Sequence, residues 1–197
     1  MNFFPRNTSE KVKFSKFIYN MAYKELELSV TNLKSIHFDI YTNKQFRLIA
    51  GNSEMTILSI LADIISPRIS KCHEIDPNME LIYLSKDKQS SNLLSDDIQN
   101  ILKKLLSGEK VEINYEASIK LRIISILLEN YKIYQDIEKL YPICKENLDH
   151  PIDFLLELFQ YKFNVNQFAF SEKVCIEFIA KNFYKYEKEK LFKLPKT

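Results

Sequence analysis

Glycine and tryptophan are the scarcest residues of this 197-residue sequence, which has two glycines and no tryptophan. Loops that cradle nucleotide phosphates need several glycines, because the backbone must approach the phosphate closely. Neither a GxGxxG pattern nor a GxxxxGK[ST] pattern occurs in the sequence. The sequence therefore does not predict either kind of nucleotide-binding loop.

Cysteine and long apolar runs are also scarce. The three cysteines, Cys72, Cys144 and Cys175, lie far apart and form no CxxC motif, which favours reduced thiols inside a cell. No run of about 18 uncharged apolar residues is present, and the N-terminus lacks the basic and apolar segments of a secretory signal. The sequence predicts a cytoplasmic protein with no membrane partner, and the nucleus is the alternative compartment.

Charge of one sign is not concentrated, and residues that could do chemistry are not grouped. The net charge is +2, with the lysines scattered among 26 acidic residues, whereas nucleic-acid-binding surfaces cluster their basic residues. His37 and His150 have no matched nucleophile and orienting acid. Cys72 and His73 lack the second ligand pair that zinc requires. We expect no enzyme activity, cofactor, metal, small-molecule substrate or nucleic-acid partner.

An amphipathic helix is predicted near the N-terminus, over residues 8–25. Phe14, Phe17, Ile18 and Met21 recur at the i, i+3, i+4, i+7 spacing of one helix face. Such an apolar stripe has to be covered. Either the core of the same chain or a second chain can cover it, and the sequence leaves both alternatives open.

A hairpin and a sharp corner between two helices are predicted next. Apolar and polar residues alternate over 36–40 and again over 46–48, which predicts two paired strands with one buried face. A helix over residues 55–65 is predicted to follow. Ser66 can then cap a new helix whose first turn contains Pro67, where the missing N–H of proline costs nothing. The chain should therefore break sharply at Ser66.

The later elements alternate between short strands and helices, and then become helices alone. They are a turn at 76–78, a strand at 80–84, a polar loop at 85–92, a helix that Gly108 stops, a strand at 110–113, an apolar helix capped by Asn114, a helix at 131–140, and helices that begin at Pro151 and at Ser171. The change in pattern near Pro142 predicts a boundary there.

This order of elements resembles the BTB/POZ domain. The stretches that carry the resemblance are FDIYTNKQFRLIAG, LADIISPRISK, NILKKLLSGEKVEI and ASIKLRIISILLENYKIY, and the tail VCIEFIAKNFYKYEKEKLFKLP resembles the start of the helical BACK extension. The resemblance implies an α+β fold in which a small sheet packs on a cluster of helices. It also implies an N-terminal extension at 1–34, a BTB/POZ-like domain at 35–141 and a BACK-like segment at 142–197.

The function that the resemblance implies is a non-enzymatic protein–protein interaction module. It would pair with itself or with another BTB-type protein through the N-terminal helix and the first domain helix, and the dimer contacts predicted for it are Phe17, Ile18 and Met21. Tyr131, Tyr134 and Tyr141 flank a predicted helical hairpin, and since tyrosine is enriched in interfaces, Tyr131 and Tyr134 are further partner-binding candidates. The alternative for these tyrosines is the edge of the core, with the hydroxyl reaching solvent.

Two further roles stay open at this point. The resemblance implies docking to a cullin-type ubiquitin ligase scaffold, with the chain acting as an adaptor. The second role belongs to a different class of protein. The helical segments alone are also typical of an all-helical regulatory or nucleic-acid-binding domain unrelated to BTB. Binding to DNA with a steep dependence on salt would distinguish that class.

Overall fold

Short strands alternate with helices through most of the chain. A computed structural model describes residues 23–27, 44–145, 148–160 and 168–194. In these residues the strands are β1 (Lys24–Leu26), β2 (Gln45–Ala50), β3 (Ser53–Leu58), β4 (Leu81–Ser85) and β5 (Val111–Ile113). The helices are α1 (Ser59–Ile65), α2 (Pro67–Ile75), α3 (Asp96–Leu106), α4 (Tyr115–Leu127), α5 (Tyr131–Leu140), α6 (Asp149–Gln160), α7 (Ala169–Lys181) and α8 (Lys188–Leu191). The fold is therefore α+β, as the sequence predicts.

Three of the strands form a mixed sheet with the order β3-β2-β4. The central strand β2 pairs antiparallel with β3, from Gln45 opposite Leu58 to Ala50 opposite Ser53. It pairs parallel with β4, with Arg47 opposite Leu81. A parallel pair needs a crossover connection, and α1 and α2 provide it.

The hairpin differs from the predicted one in its partner strand. Residues 46–48 do lie in β2, while 36–40 lie outside the described residues. The observed partner is β3, and the prediction of a helix from residue 55 was wrong because α1 begins only at Ser59. Met55 and Ile57 point into the core between exposed neighbours, which is the two-residue period of a strand. Gly51 has a φ of +57° and provides the first position of a two-residue hairpin turn.

The predicted corner at Ser66 is confirmed. Ser66 has an extended backbone, with φ −137° and ψ 103°, and separates α1 from α2. Its hydroxyl oxygen accepts the N–H of Ile69 at 3.1 Å and donates to the carbonyl oxygen of Leu128 at 2.8 Å. Arg68 donates to the carbonyl of Leu127 at 3.0 Å. The corner is therefore fixed against the end of α4.

The polar segment predicted as a loop at 85–92 is partly helical instead. A 3₁₀-helix spans Lys88–Leu94, and the Asp87 carboxylate caps it by accepting the N–H of Gln89 at 3.0 Å. The hydroxyl of Ser91 accepts the N–H of Asn52 at 2.9 Å. This contact packs the segment against the hairpin turn, which explains why so polar a stretch is ordered.

A helical hairpin formed by α4 and α5 fills the centre of the molecule. Asn114 caps α4 by accepting the N–H of Ala117 at 2.8 Å, as predicted. All but two of the α4 side chains are buried, because neighbours surround the helix. The chain then turns at Glu129, which has a φ of +58°, and Asn130 caps α5. The predicted stop of α3 is also confirmed, since Gly108 has a φ of +81°.

The N-terminal part of the described chain is a strand and not the end of a helix. β1 pairs antiparallel with β5, with Lys24 opposite Ile113 and Leu26 opposite Val111. The prediction of a helix reaching residue 25 was therefore wrong at its C-terminal end, and residues 8–22 lie outside the described residues. Leu26 is buried, so β1 belongs to the core.

The C-terminal helices share the core of the preceding elements. Phe154 and Leu155 of α6 are buried in the same hydrophobic cluster as α4, and the His150 ring stacks on Tyr115 with centroids 4.0 Å apart. The prediction that Ser171 caps α7 was wrong, because α7 begins at Ala169. No helix within the described ranges is long and apolar enough to span a membrane.

Candidate interaction surface

A cavity of about 340 Å³ opens beside the β1–β5 pair. The first turns of α3 and α4 and the outer side of β5 form its walls. We call it the Tyr23 groove, and the lining residues that matter below are Tyr23, Asp97, Ile101, Glu112, Glu116 and Lys120. Tyr23 is 61% exposed, so the groove offers an aromatic rim.

The Tyr23 groove is acidic. Asp97, Glu112 and Glu116 line it, and Lys120 is the single cation among its lining residues. The ammonium of Lys120 lies 3.2 Å from the Glu116 carboxylate and is mostly buried, so it neutralises that carboxylate. Asp97 and Glu112 then leave a net negative charge in a concave site, which attracts a basic partner.

The predicted dimer residues Phe17, Ile18 and Met21 lie outside the described residues. In sequence, Met21 precedes Tyr23 by two residues. The segment that carries the predicted dimer residues contains three lysines within residues 11–16. Its charge is opposite to that of the groove.

The two tyrosines predicted to bind a partner have different surroundings. Tyr131 is the first residue of α5 and is 64% exposed. Tyr134 is half-buried, its hydroxyl hydrogen-bonds with Ser171 of α7, and burial raises the pKa of its phenol. The Arg122 guanidinium lies 5.9 Å from the centre of the Tyr134 ring. Tyr134 therefore joins α5 to α7, while Tyr131 offers its ring to solvent, and partner binding by either stays a prediction.

Tyr141, at the end of α5, is fully enclosed. Its hydroxyl donates to the carbonyl oxygen of Ile113 in β5 at 2.9 Å. The ammonium of Lys24 lies 4.7 Å from the centre of its ring, and such a contact stabilises the cation. Tyr141 thus connects α5 to the β1–β5 pair beside the groove.

A buried polar cluster that the sequence analysis missed lies between α4, α5 and α7. At its centre is Arg122, whose side chain is only 1% exposed. Its Nη2 donates to Glu138 at 3.0 Å and to the carbonyl oxygen of Tyr141 at 2.6 Å. Burial lowers the pKa of Arg122, although Glu138 opposes that effect. A single arginine inside the otherwise apolar run LRIISILL was the available signal, since a buried charge requires a partner.

Both ring nitrogens of His73, the neighbour of Cys72, have partners in the core. His73 is buried with its Nδ1 2.6 Å from Asp63 and its Nε2 3.0 Å from the carbonyl oxygen of Met79. Its ring meets the Phe46 ring edge-on at 5.2 Å. In the part of the chain that the structure describes, no group of three or more His, Cys, Asp or Glu residues could hold a metal ion. The Asp63–His73 pair therefore joins α1 to α2 inside the core.

The chain was also compared with known proteins. No protein-family model, curated protein or solved structure matches it. The function is therefore inferred from the topology and the surface of the chain.

Proposed function

We propose that the chain is a BTB/POZ-type protein–protein interaction module that pairs with a second copy of itself. The order of elements supports this proposal. An antiparallel hairpin is followed by two helices meeting at Ser66, a parallel strand, a helix that stops at Gly108, a short strand and a helical hairpin. From the corner at Ser66 onward this is the order on which the sequence resemblance rests, whereas the hairpin before it is formed by β2 and β3 and not by pairing of residues 36–40 with 46–48.

The Tyr23 groove is the observation that carries the pairing. Its exposed carboxylates and aromatic rim suit a helix that combines lysines with an apolar stripe, and the stretch that contains Phe17, Ile18 and Met21 has this composition. Each copy carries the Tyr23 groove and such a segment. Reciprocal insertion therefore fills both grooves with two-fold symmetry, the commonest arrangement of homodimers.

The alternative classes are less well supported. An all-helical domain does not fit, because five strands lie in the described residues. Nucleic-acid binding is disfavoured by the negative charge of the groove. Docking to a cullin-type scaffold rests on the resemblance alone, and a pull-down with a recombinant cullin that recovers none of the chain would remove it.

Light scattering on the full chain tests the pairing. We expect a mass twice the 23.4 kDa of one chain. Phe17→Glu and Ile18→Glu place a carboxylate on the apolar stripe and should each weaken the dimer at least about tenfold. Ser15→Glu is the matched control, because residue 15 lies off the stripe and should leave the mass unchanged.

Point variants are preferable to removal of residues 1–30, which would also delete β1 and its buried Leu26. On the groove side, Glu112→Lys should weaken the dimer and keep the circular dichroism of the native chain. A wild-type mass of one chain would contradict the proposal, as would dimers that persist in Phe17→Glu, Ile18→Glu and Glu112→Lys alike.

A further inference from the structure

Two of the three cysteines meet at the junction between α5 and α7. Cys144 lies in the segment after α5, and Cys175 lies in α7. Cys144 Sγ lies 4.0 Å from the carbonyl oxygen of Val174, the residue that precedes Cys175, and the two thiols are close enough to shift each other's pKa. Cys175 is 1% exposed, whereas Cys144 is only partly buried. One thiol of the pair is thus accessible and the other is enclosed behind it.

The two thiols differ in acidity. The hydrogen bond from Cys175 lowers the pKa of Cys144. The same hydrogen bond, together with burial, raises the pKa of Cys175. The cation of Arg122 further favours the Cys144 thiolate, although burial and the carboxylate of Glu138 act against it. Cys144 is therefore the nucleophile of the pair, because its thiol is accessible whereas that of Cys175 is enclosed, and because the thiolate is the reactive form.

We propose that Cys144 and Cys175 form a peroxide-reactive dithiol site that closes into a disulfide between the segment after α5 and helix α7. This site is independent of the groove and of the proposed pairing.

The reaction needs one hydroperoxide as the oxidant. The Cys144 thiolate attacks the peroxide oxygen and breaks the O–O bond, which gives a sulfenic acid and releases an alcohol, or water when the oxidant is hydrogen peroxide. The Cys175 sulfur then attacks the sulfur of Cys144. The S–S bond forms, the S–O bond breaks, and the departing hydroxide takes the Cys175 proton as water. Two thiols and one hydroperoxide thus give one disulfide, one alcohol and one water.

The disulfide would fix α7 to α5 covalently. In the reduced chain, Tyr134 of α5 already interacts with Ser171 of α7, which lies one helical turn before Cys175. Oxidation would therefore lock an existing contact and would not move the helices apart. A covalent link of this kind lowers the conformational entropy of the unfolded chain and so stabilises the folded one.

Mass spectrometry of the full chain treated with one equivalent of hydrogen peroxide tests the proposal. We expect the loss of two hydrogens in mass and, after non-reducing digestion, a peptide that links Cys144 to Cys175. Cys72 should keep its free thiol. The oxidised chain should unfold at a temperature roughly 5 to 10 °C higher, and a thiol reductant should reverse both changes.

Three variants make the result unambiguous. Cys72→Ser should form the same disulfide, whereas Cys175→Ser should stop at a sulfenic acid on Cys144 that dimedone traps. Cys144→Ser should react with peroxide at least about tenfold more slowly at Cys175, because its thiol is enclosed. Oxidation of Cys72 ahead of Cys144, or a Cys144 that goes to sulfinic acid in the wild-type chain while Cys175 stays free, would overturn the proposal.

Discussion

The hydroxyl of Ser66 hydrogen-bonds to the carbonyl oxygen of Leu128 at 2.8 Å, although the two residues lie 62 positions apart in the sequence. The same hydroxyl caps α2 by accepting the N–H of Ile69. The turn after α4 also donates to this corner, since the Asn130 amide hydrogen-bonds to the carbonyl oxygen of Ile65 at 2.8 Å. The two helical corners of the protein therefore satisfy each other's terminal backbone groups, which would otherwise be buried without partners.

Removal of the Ser66 hydroxyl should destabilise the fold more than loss of an ordinary cap. Ser66→Ala removes the cap of α2 and leaves the buried carbonyl of Leu128 with one partner fewer, and together these should cost about 2 to 3 kcal/mol. Urea unfolding measures this change. Ser107→Ala is the control, since its hydroxyl is exposed and its loss should cost less than about 0.5 kcal/mol.

Glu129 should be replaceable by glycine with a gain in stability. It has a φ of +58° directly after α4, a conformation that costs a non-glycine residue about 1 to 2 kcal/mol. Its ion pair with Lys71, at 3.1 Å, is largely exposed and contributes little. Glu129→Gly should raise the free energy of unfolding by about 1 kcal/mol, whereas the control Gln135→Gly, at an exposed position in the middle of α5, should lower it by a similar amount. A loss of stability in Glu129→Gly would show that the ion pair outweighs the backbone strain.

The two glycines should respond differently to alanine, although both have a positive φ. A Cβ at Gly51 would lie 2.7 Å from the carbonyl oxygen of Asp87 and 2.7 Å from Ser91 Oγ, whereas at Gly108 it would meet nothing within 4 Å. Gly108→Ala should therefore cost only the backbone strain, about 1 kcal/mol. Gly51→Ala adds a clash with backbone and should cost about 3 kcal/mol. Thermal unfolding of the two variants should separate them clearly, and equal midpoints would contradict the packing described at Gly51.

The ion pair between Arg122 and Glu138 should be more sensitive to loss of the acid than to loss of the base. Glu138→Gln leaves the buried guanidinium without a counter-charge and should cost about 3 kcal/mol. Arg122→Met removes the buried charge and leaves Glu138, which is partly exposed, in contact with water. It should cost less than half as much, as measured by denaturant unfolding. A larger loss of stability in Arg122→Met than in Glu138→Gln would mean that the hydrogen bond of Arg122 to the carbonyl oxygen of Tyr141 contributes more than the ion pair.

The sequence predicts features that depend on neighbouring residues much better than features that depend on distant ones. The cap at Ser66, the stop at Gly108 and the cap at Asn114 were correct because each depends on residues within one helical turn. The strand β3 was missed because Met55 and Ile57 also fit the start of a helix, and only pairing with β2 decides between the two structures. Side-chain partners far apart in the sequence were missed for the same reason, as the burial of Arg122 shows.

Only one of the two surfaces in the proposed pairing could be predicted from the sequence. The apolar stripe at Phe17, Ile18 and Met21 can be read from its spacing, whereas the acidic site is assembled from α3, β5 and α4. Its charge depends on Lys120 turning toward Glu116. No local pattern records that arrangement, so the groove could be recognised only in the folded chain.

The bond between Ser66 and Leu128 also has a consequence for the order of folding. During synthesis, the hairpin β2–β3 and the corner after it are complete long before residue 128 is made, yet their acceptor lies at the end of α4. Contacts of such long sequence separation slow folding, because the intervening chain must be ordered first. The first half of the domain should therefore stay incompletely folded on the ribosome until α4 emerges, and then both halves should become protected from proteolysis together.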